Sequence, residues 1–220
     1  MNYSYHVIEV RQTEAFAKWL KSLRDAKAAA KIAQRIVRVS SGLLGDMKPV
    51  GQGVSELRID FGPGYRIYFM QRSEILIILL CGGDKSTQAR DIRKAKELAA
   101  DLQAAPAMET SMATRTLPFD PAEHLADPED QAELLNDALD TGNAVYIANA
   151  LGIIARARGM SEVARGAGVT REALYKAFSD KGDPRLSTLL GVLKTLDLKL
   201  SARPAKGGGA RRSKAARKAA

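Results

Sequence analysis

ELRIDFGPGYRIYFM, residues 56–70, decides how the first half of this chain folds. Leu57, Ile59 and Phe61 alternate with Glu56, Arg58 and Asp60, the period of a strand with one buried face. Gly62-Pro63-Gly64 interrupts the pattern as a turn. Tyr65, Ile67 and Phe69 then alternate with Arg66, Tyr68 and Met70. A three-residue turn pairs Phe61 with Tyr65, Ile59 with Ile67 and Leu57 with Phe69, which keeps the apolar residues on one face. The other face sets Asp60 opposite Arg66 and Arg58 opposite Tyr68. Two arginines and a tyrosine converge there, on what reads as the open face of a hairpin.

Downstream, Glu74–Leu80 is an unbroken apolar run, the pattern of a central strand covered on both sides. It leads into LLCGGDKSTQARDIRKA, residues 79–95. Gly82 and Gly83 predict a sharp turn there, and Ser86 or Thr87 a helix cap. Ile92, Ala95, Ala99 and Leu102 form the inner face of that helix. Lys85 then sits at a strand end beside a helix N-terminus, and with Arg58 and Arg66 makes a cationic cluster suited to phosphate.

Upstream, Tyr3–Val10 reads as a strand, and Thr13 caps a helix with Phe16, Trp19, Leu20 and Leu23 on one stripe. Ile32, Ile36, Val39 and Leu43 mark a second helix, ended near Gly42 and Gly45. Lys27, Lys31, Arg35 and Arg38 fall on its wetter side, as a solvated face or as a contact surface for RNA or a partner.

The chain then changes character. Residues 103–118, QAAPAMETSMATRTLP, lack apolar periodicity and carry two prolines, so a linker is expected at 106–112. Met112 inside it reads equally as linker or as the start of a joined reading frame. Residues 1–105 hold 17 Lys/Arg against 11 Asp/Glu, residues 106–205 hold 11 against 14, and residues 206–220 hold 6 against none. A basic module, an acidic module and a disordered basic tail therefore follow one another. The opposite charges favour contact between the two modules.

In the second module Asp127-Pro128-Glu129-Asp130 starts a helix with Leu134, Leu135, Ala138 and Leu139 inside. Another helix runs from Asn143 to Arg158 and is capped by Gly159. MSEVARGAGVTREALYKAF, residues 160–178, has a capping Ser161, a small Ala164, a turn glycine at 168, a capping Thr170 and an inward Leu174. That spacing is what a helix-turn-helix over 160–179 requires. Thr170, Arg171, Tyr175 and Lys176 point outward and suit contacts to DNA phosphates and base edges. Asp183-Pro184 is expected to start a last helix with Leu186, Leu189, Leu190, Leu193 and Leu196.

No apolar run is long enough to span a bilayer, the N-terminus has no secretory apolar stretch, and Cys81 is a lone thiol. These features point to the cytoplasm. His6 and His124 lie in different modules, so no metal set is expected.

ELRIDFGPGYRIYF followed by LLCGGDKSTQARDIRKAKELA resembles the HigB-like, phage-derived killer-protein branch of the RelE/ParE toxin superfamily, over roughly residues 5–102. The resemblance implies a βααβββα toxin domain over 1–105. For RelE-type members it also implies a ribosome-dependent endoribonuclease that cuts messenger RNA. Such an enzyme needs neither metal nor cofactor, because the ribose 2′-hydroxyl attacks its own phosphodiester and leaves a 2′,3′-cyclic phosphate. Arg58, Arg66 and Lys85 would stabilise charge developing on phosphorus, and Tyr68 or a lysine would move protons. Several relatives use a histidine, and this hairpin has none nearby. ParE-type relatives inhibit DNA gyrase and cut nothing, which is one alternative. A DNA-binding regulator with a degenerate toxin domain is another.

Residues 113–205 resemble the HigA-like antidotes of these killer proteins, which implies a dimer that represses its own operon and covers its toxin. The whole chain is thus expected to be α+β, a toxin domain followed by an all-α helix-turn-helix antitoxin. Its expected partners are messenger RNA on the ribosome and operator DNA. The antitoxin would hold the toxin silent, in cis or across a homodimer.

Overall fold

The computed structural model describes residues 8–104, 116–179 and 182–202. The first part runs β1 (Glu9–Thr13), α1 (Glu14–Ser22), α2 (Ala26–Ser40), β2 (Met47–Gly51), β3 (Val54–Ile59), β4 (Tyr65–Ser73), β5 (Leu76–Asp84), a 3-10 turn at Lys85–Thr87 and α3 (Gln88–Ala104). The second runs β6 (Thr116–Pro118), a 3-10 turn at Pro121–His124, α4 (Pro128–Thr141), α5 (Ala144–Arg158), α6 (Met160–Gly166), α7 (Arg171–Ala177) and α8 (Leu186–Thr195). The expected linker at 106–112, the tail at 206–220 and the start of the first strand lie outside the described residues.

All six strands share one sheet in the order β2-β3-β4-β5-β1-β6. β5 is central, as its apolar run predicts. It pairs in parallel with β1 and antiparallel with β4. One sheet face packs on α1 and α2 through Phe16, Ile32, Ile36, Leu57, Ile67 and Leu79. The other packs on α3 through Tyr68, Ile78, Leu80, Ala95 and Ala99.

Several expectations change. β2 is a strand the sequence did not announce, because Met47–Gly51 alternates poorly and carries Pro49, which suits an edge. The β3–β4 hairpin pairs Ile59 with Tyr65, Arg58 with Arg66 and Glu56 with Tyr68, two residues off the predicted register. Its loop is Asp60–Gly64, with Gly62 at φ 54° and Gly64 at φ 77°, closed by the Gly64 amide on the Phe61 carbonyl at 3.1 Å. A shift of two keeps every side chain on its predicted face.

Gly82 and Gly83 make no turn. Both continue β5, opposite Ile67 and Arg66. They are glycines because a Cβ would collide with the Trp19 ring at 82 and with the Asp91 carboxylate at 83. The break comes at Asp84, whose carboxylate accepts from the Ser86 amide at 2.8 Å, so the cap precedes Ser86 and Thr87. Lastly, Ser161 and Asp183 cap nothing: α6 starts at Met160 and α8 at Leu186, neither with a side-chain cap.

The second part is not purely helical, since β6 extends the first part's sheet antiparallel to β1. Arg11 fixes it, with Nε donating to Thr116 Oγ1 at 2.9 Å and a terminal nitrogen donating to the Thr116 carbonyl at 2.8 Å. The Phe119 amide donates to the Val10 carbonyl at 3.0 Å, and its ring packs edge-on to Phe16 with centroids 6.1 Å apart. Phe119 is 8% exposed and belongs to the core beneath the sheet. Replacing Phe119 with Ala should destabilise the whole chain by about 3 kcal/mol. Urea unfolding followed by circular dichroism checks this, and an unshifted midpoint would show that the ring is not an anchor.

Candidate functional site

β3 and β4 bring Arg58 and Arg66 side by side as a cross-strand pair. Between them, Glu56 is fully buried. Its carboxylate accepts from Arg58 Nε at 2.9 Å, Gln88 Nε2 at 2.8 Å and the Tyr68 hydroxyl at 3.2 Å. Arg66 Nε stands 3.5 Å away as an ion-pair partner, and an Arg66 terminal nitrogen donates to the Gly64 carbonyl at 2.9 Å. Burial pushes the Glu56 carboxyl upward, but the donated hydrogen bonds from Arg58, Gln88 and Tyr68 outweigh it and hold it below the usual carboxylate value. Sequence reading passed Glu56 over as an alternating polar residue. The available signal was a carboxylate on the same strand face as two arginines and a tyrosine.

The predicted face is not open. α3 lies across it, leaving Tyr68 fully buried, with a hydroxyl whose pKa is raised by burial and by Glu56. Arg66 is largely buried with a side chain 13% exposed, while Arg58 retains 40% exposure and Lys85 is exposed on its turn. Gly64 lies between Arg66 and Lys85: a Cβ there would be 3.8 Å from an Arg66 terminal nitrogen and 4.0 Å from Lys85 Cβ. Arg58, Arg66 and Lys85 therefore occupy one end of the sheet, while Tyr68 lies inside. Cys81 is buried too, its thiol pushed up to about 12 by burial.

A second charged region joins the two parts of the chain. The cationic side of α2 faces α4 rather than solvent. Lys27 lies 4.0 Å from Glu129, Lys31 bonds Glu133, and Arg38 bonds Asp137. Gln34 Nε2 donates to the Asp130 carbonyl at 2.9 Å, and Asn149 Nδ2 to Ser41 Oγ at 3.1 Å. Beneath these polar contacts, Ala30 and Val37 of α2 are buried among Leu134, Ala138, Tyr146, Leu151 and Ile154.

The third region is a helix-turn-helix. α6 and α7 are joined by a turn with Gly168 at φ 70°, and Ala164 and Leu174 are buried as expected. Thr170 caps α7 by accepting from the Ala173 amide at 3.1 Å. Thr170, Arg171, Tyr175 and Lys176 are all exposed. The Arg171 guanidinium lies over the Tyr175 ring, 5.5 Å from its centroid. Arg171 and Tyr175, with Arg156, Arg165 and the carboxylates of Asp120 and Glu162, line a groove of about 560 Å³.

Residues 115–204 match a family described as "Probable addiction module antidote protein". The second part of the chain is therefore an antidote-like region. The antidote region thus begins with β6 and holds the α4 seam and the helix-turn-helix. Two uncharacterized proteins of Haemophilus influenzae are each 50% identical to the chain. One aligns over 95 residues, 43% of this chain and 96% of the relative. The other aligns over 80 residues, 36% of this chain and 82% of the relative. No solved structure matches. An antidote implies a toxin partner, and here the antidote region packs on the other half of its own chain. It packs on α2 and pairs with the β1 edge, where Glu133 and Asp137 share a cleft with Arg58, while Lys85 is exposed.

Replacing Glu56 with Gln should cost about 3 kcal/mol at neutral pH, because it leaves buried Arg66 without its counter-charge. The folded carboxyl titrates below its unfolded value, so wild type holds this contribution above about pH 4.3 and loses it as pH falls further. The gap between wild type and variant should therefore narrow below about pH 4. Chemical denaturation across pH measures it, and a gap constant from neutral to acid would remove Glu56 as the hub.

Proposed function

We propose that this chain is an addiction module on one polypeptide, with a toxin in residues 1–105 and its antidote in residues 113–205. The observation that carries the reading is the fit between them. The antidote region adds a strand to the other half's sheet and matches α2's cations with α4's carboxylates.

The toxin would be a RelE-type ribonuclease of the HigB branch, acting on messenger RNA. Arg58, Arg66 and Lys85 would surround the scissile phosphate and stabilise the charge that develops during attack by the 2′-hydroxyl. Glu56 would hold the two arginines in place without touching RNA. Tyr68 would not be the proton-transfer group in the closed chain, since its hydroxyl is buried and bonded to Glu56. That same observation favours a second reading, a ParE-like toxin that inhibits by binding and performs no chemistry. The antidote would bind operator DNA through Thr170, Arg171, Tyr175 and Lys176, with Arg171 held against Tyr175.

Charge reversal of the seam tests the module reading in the intact chain. Expressing the Glu133→Lys/Asp137→Lys variant should arrest growth, where the wild-type chain does not. Adding Lys85→Ala on its exposed turn should restore growth. Sequencing the 5′ ends of messenger RNA during arrest separates the two toxin classes, since only a ribonuclease creates new ends. Normal growth of a variant whose seam is opened would remove the toxin assignment.

A further inference from the structure

α2 carries Lys27, Lys31, Arg35 and Arg38 along one face, spaced four, four and three residues apart. Like charges at these spacings repel on a helix, so an anionic partner along the row relieves them. α4 supplies one with Glu129, Glu133 and Asp137, spaced by four, so its carboxylates recur about every 6 Å along the axis. This is a linear array of single negative charges, the same pattern that an extended nucleic-acid backbone presents. Asp137 is fixed from behind by the Tyr146 hydroxyl, which donates at 2.6 Å. Arg35 pairs with no carboxylate among the described residues, and donates instead to the carbonyls of Leu44 and Asp46.

A cleft of about 300 Å³ runs between α2, α4 and the β3–β4 loop. Lys31, Arg35, Arg38 and Arg58 line it, with Glu133 and Asp137 entering from α4. Without α4, Asp60 would be the one carboxylate left in the lining, with Arg58 also paired to the buried Glu56 behind it. Guanidinium groups take phosphate oxygens two at a time, and lysine takes them as a point charge.

We propose that the cationic face of α2 is a binding track for the phosphate backbone of single-stranded RNA, which α4 occupies with carboxylates in place of phosphates. The choice of RNA rests on the toxin reading above. The track explains how the antidote silences its partner while leaving Lys85 exposed: it blocks the surface that holds the strand, not the end of the sheet where the strand would be cut.

The test uses the full chain with the near-isosteric changes Glu129→Gln, Glu133→Gln and Asp137→Asn, and a short fluorescein-labelled oligouridylate as probe. By fluorescence anisotropy the triple variant should bind about tenfold more tightly than wild type, through phosphate contacts. Adding Lys31→Ala, Arg35→Ala and Arg38→Ala should abolish the gain and flatten the log–log salt dependence by about 2. Glu133→Gln alone, on a side chain 44% exposed, should give a smaller gain and guards against misfolding of the triple variant. Wild-type affinity in both neutralised variants would overturn the track, as would a gain that survives loss of the α2 cations. Growth is scored on the same variants. Arrest without α2-dependent RNA binding overturns the track and leaves the toxin reading standing. Binding without arrest supports the track and counts against the toxin reading alone.

Discussion

The packing of α2 between the sheet and α4 is the constraint on which the rest of the molecule depends. One side of α2, through Ile32 and Ile36, closes the core under the sheet. Ala30 and Val37 enter the antidote's own core beside Tyr146 and Ile154. A helix committed to two cores cannot turn or slide without opening both. Ion pairs as exposed as Lys31–Glu133 and Arg38–Asp137 contribute about 0.2–1 kcal/mol each, whereas burying a side chain such as Val37 contributes about 1.5–3 kcal/mol. The apolar contacts therefore supply most of the hold, and the charges select partner and register.

The strand β6 adds a second hold of a different kind. Backbone hydrogen bonds to β1 and the Phe119 ring in the sheet's core are insensitive to salt, while the α2–α4 charges are screened by it. β6 also covers the β1 edge and places Pro118 in the outermost strand, where the lost amide blocks further pairing. The first part of the chain is thus held at two separated surfaces. Neither surface includes the end of the sheet with Arg66 and Lys85.

Much of this was legible in the sequence. Strict alternation over residues 56–70 gave the hairpin and the correct face for every residue, because parity survives a register shift of two. Caps such as Thr13, Asp127 and Thr170 were legible because they act within three residues. What could not be read was longer in range. Gly82 and Gly83 look like a turn, and only Trp19 and Asp91 packed over them explain why they are glycines in a strand. Tyr68 and Arg58 share a strand face, but α3 buries the first and leaves the second at the margin. The cationic row of α2 carried no mark of its partner, which lies about a hundred residues away and meets Lys27, Lys31 and Arg38 but not Arg35.

The central claim is that the two halves form a complex through α2 and β6 rather than two beads on a tether. A protease site placed within residues 106–112 tests it directly. After cutting, the fragments should co-elute on gel filtration at micromolar concentration, and should still do so in high salt, where the screened seam leaves β6 and the apolar contacts in place. Separation of the fragments in low salt would contradict the account.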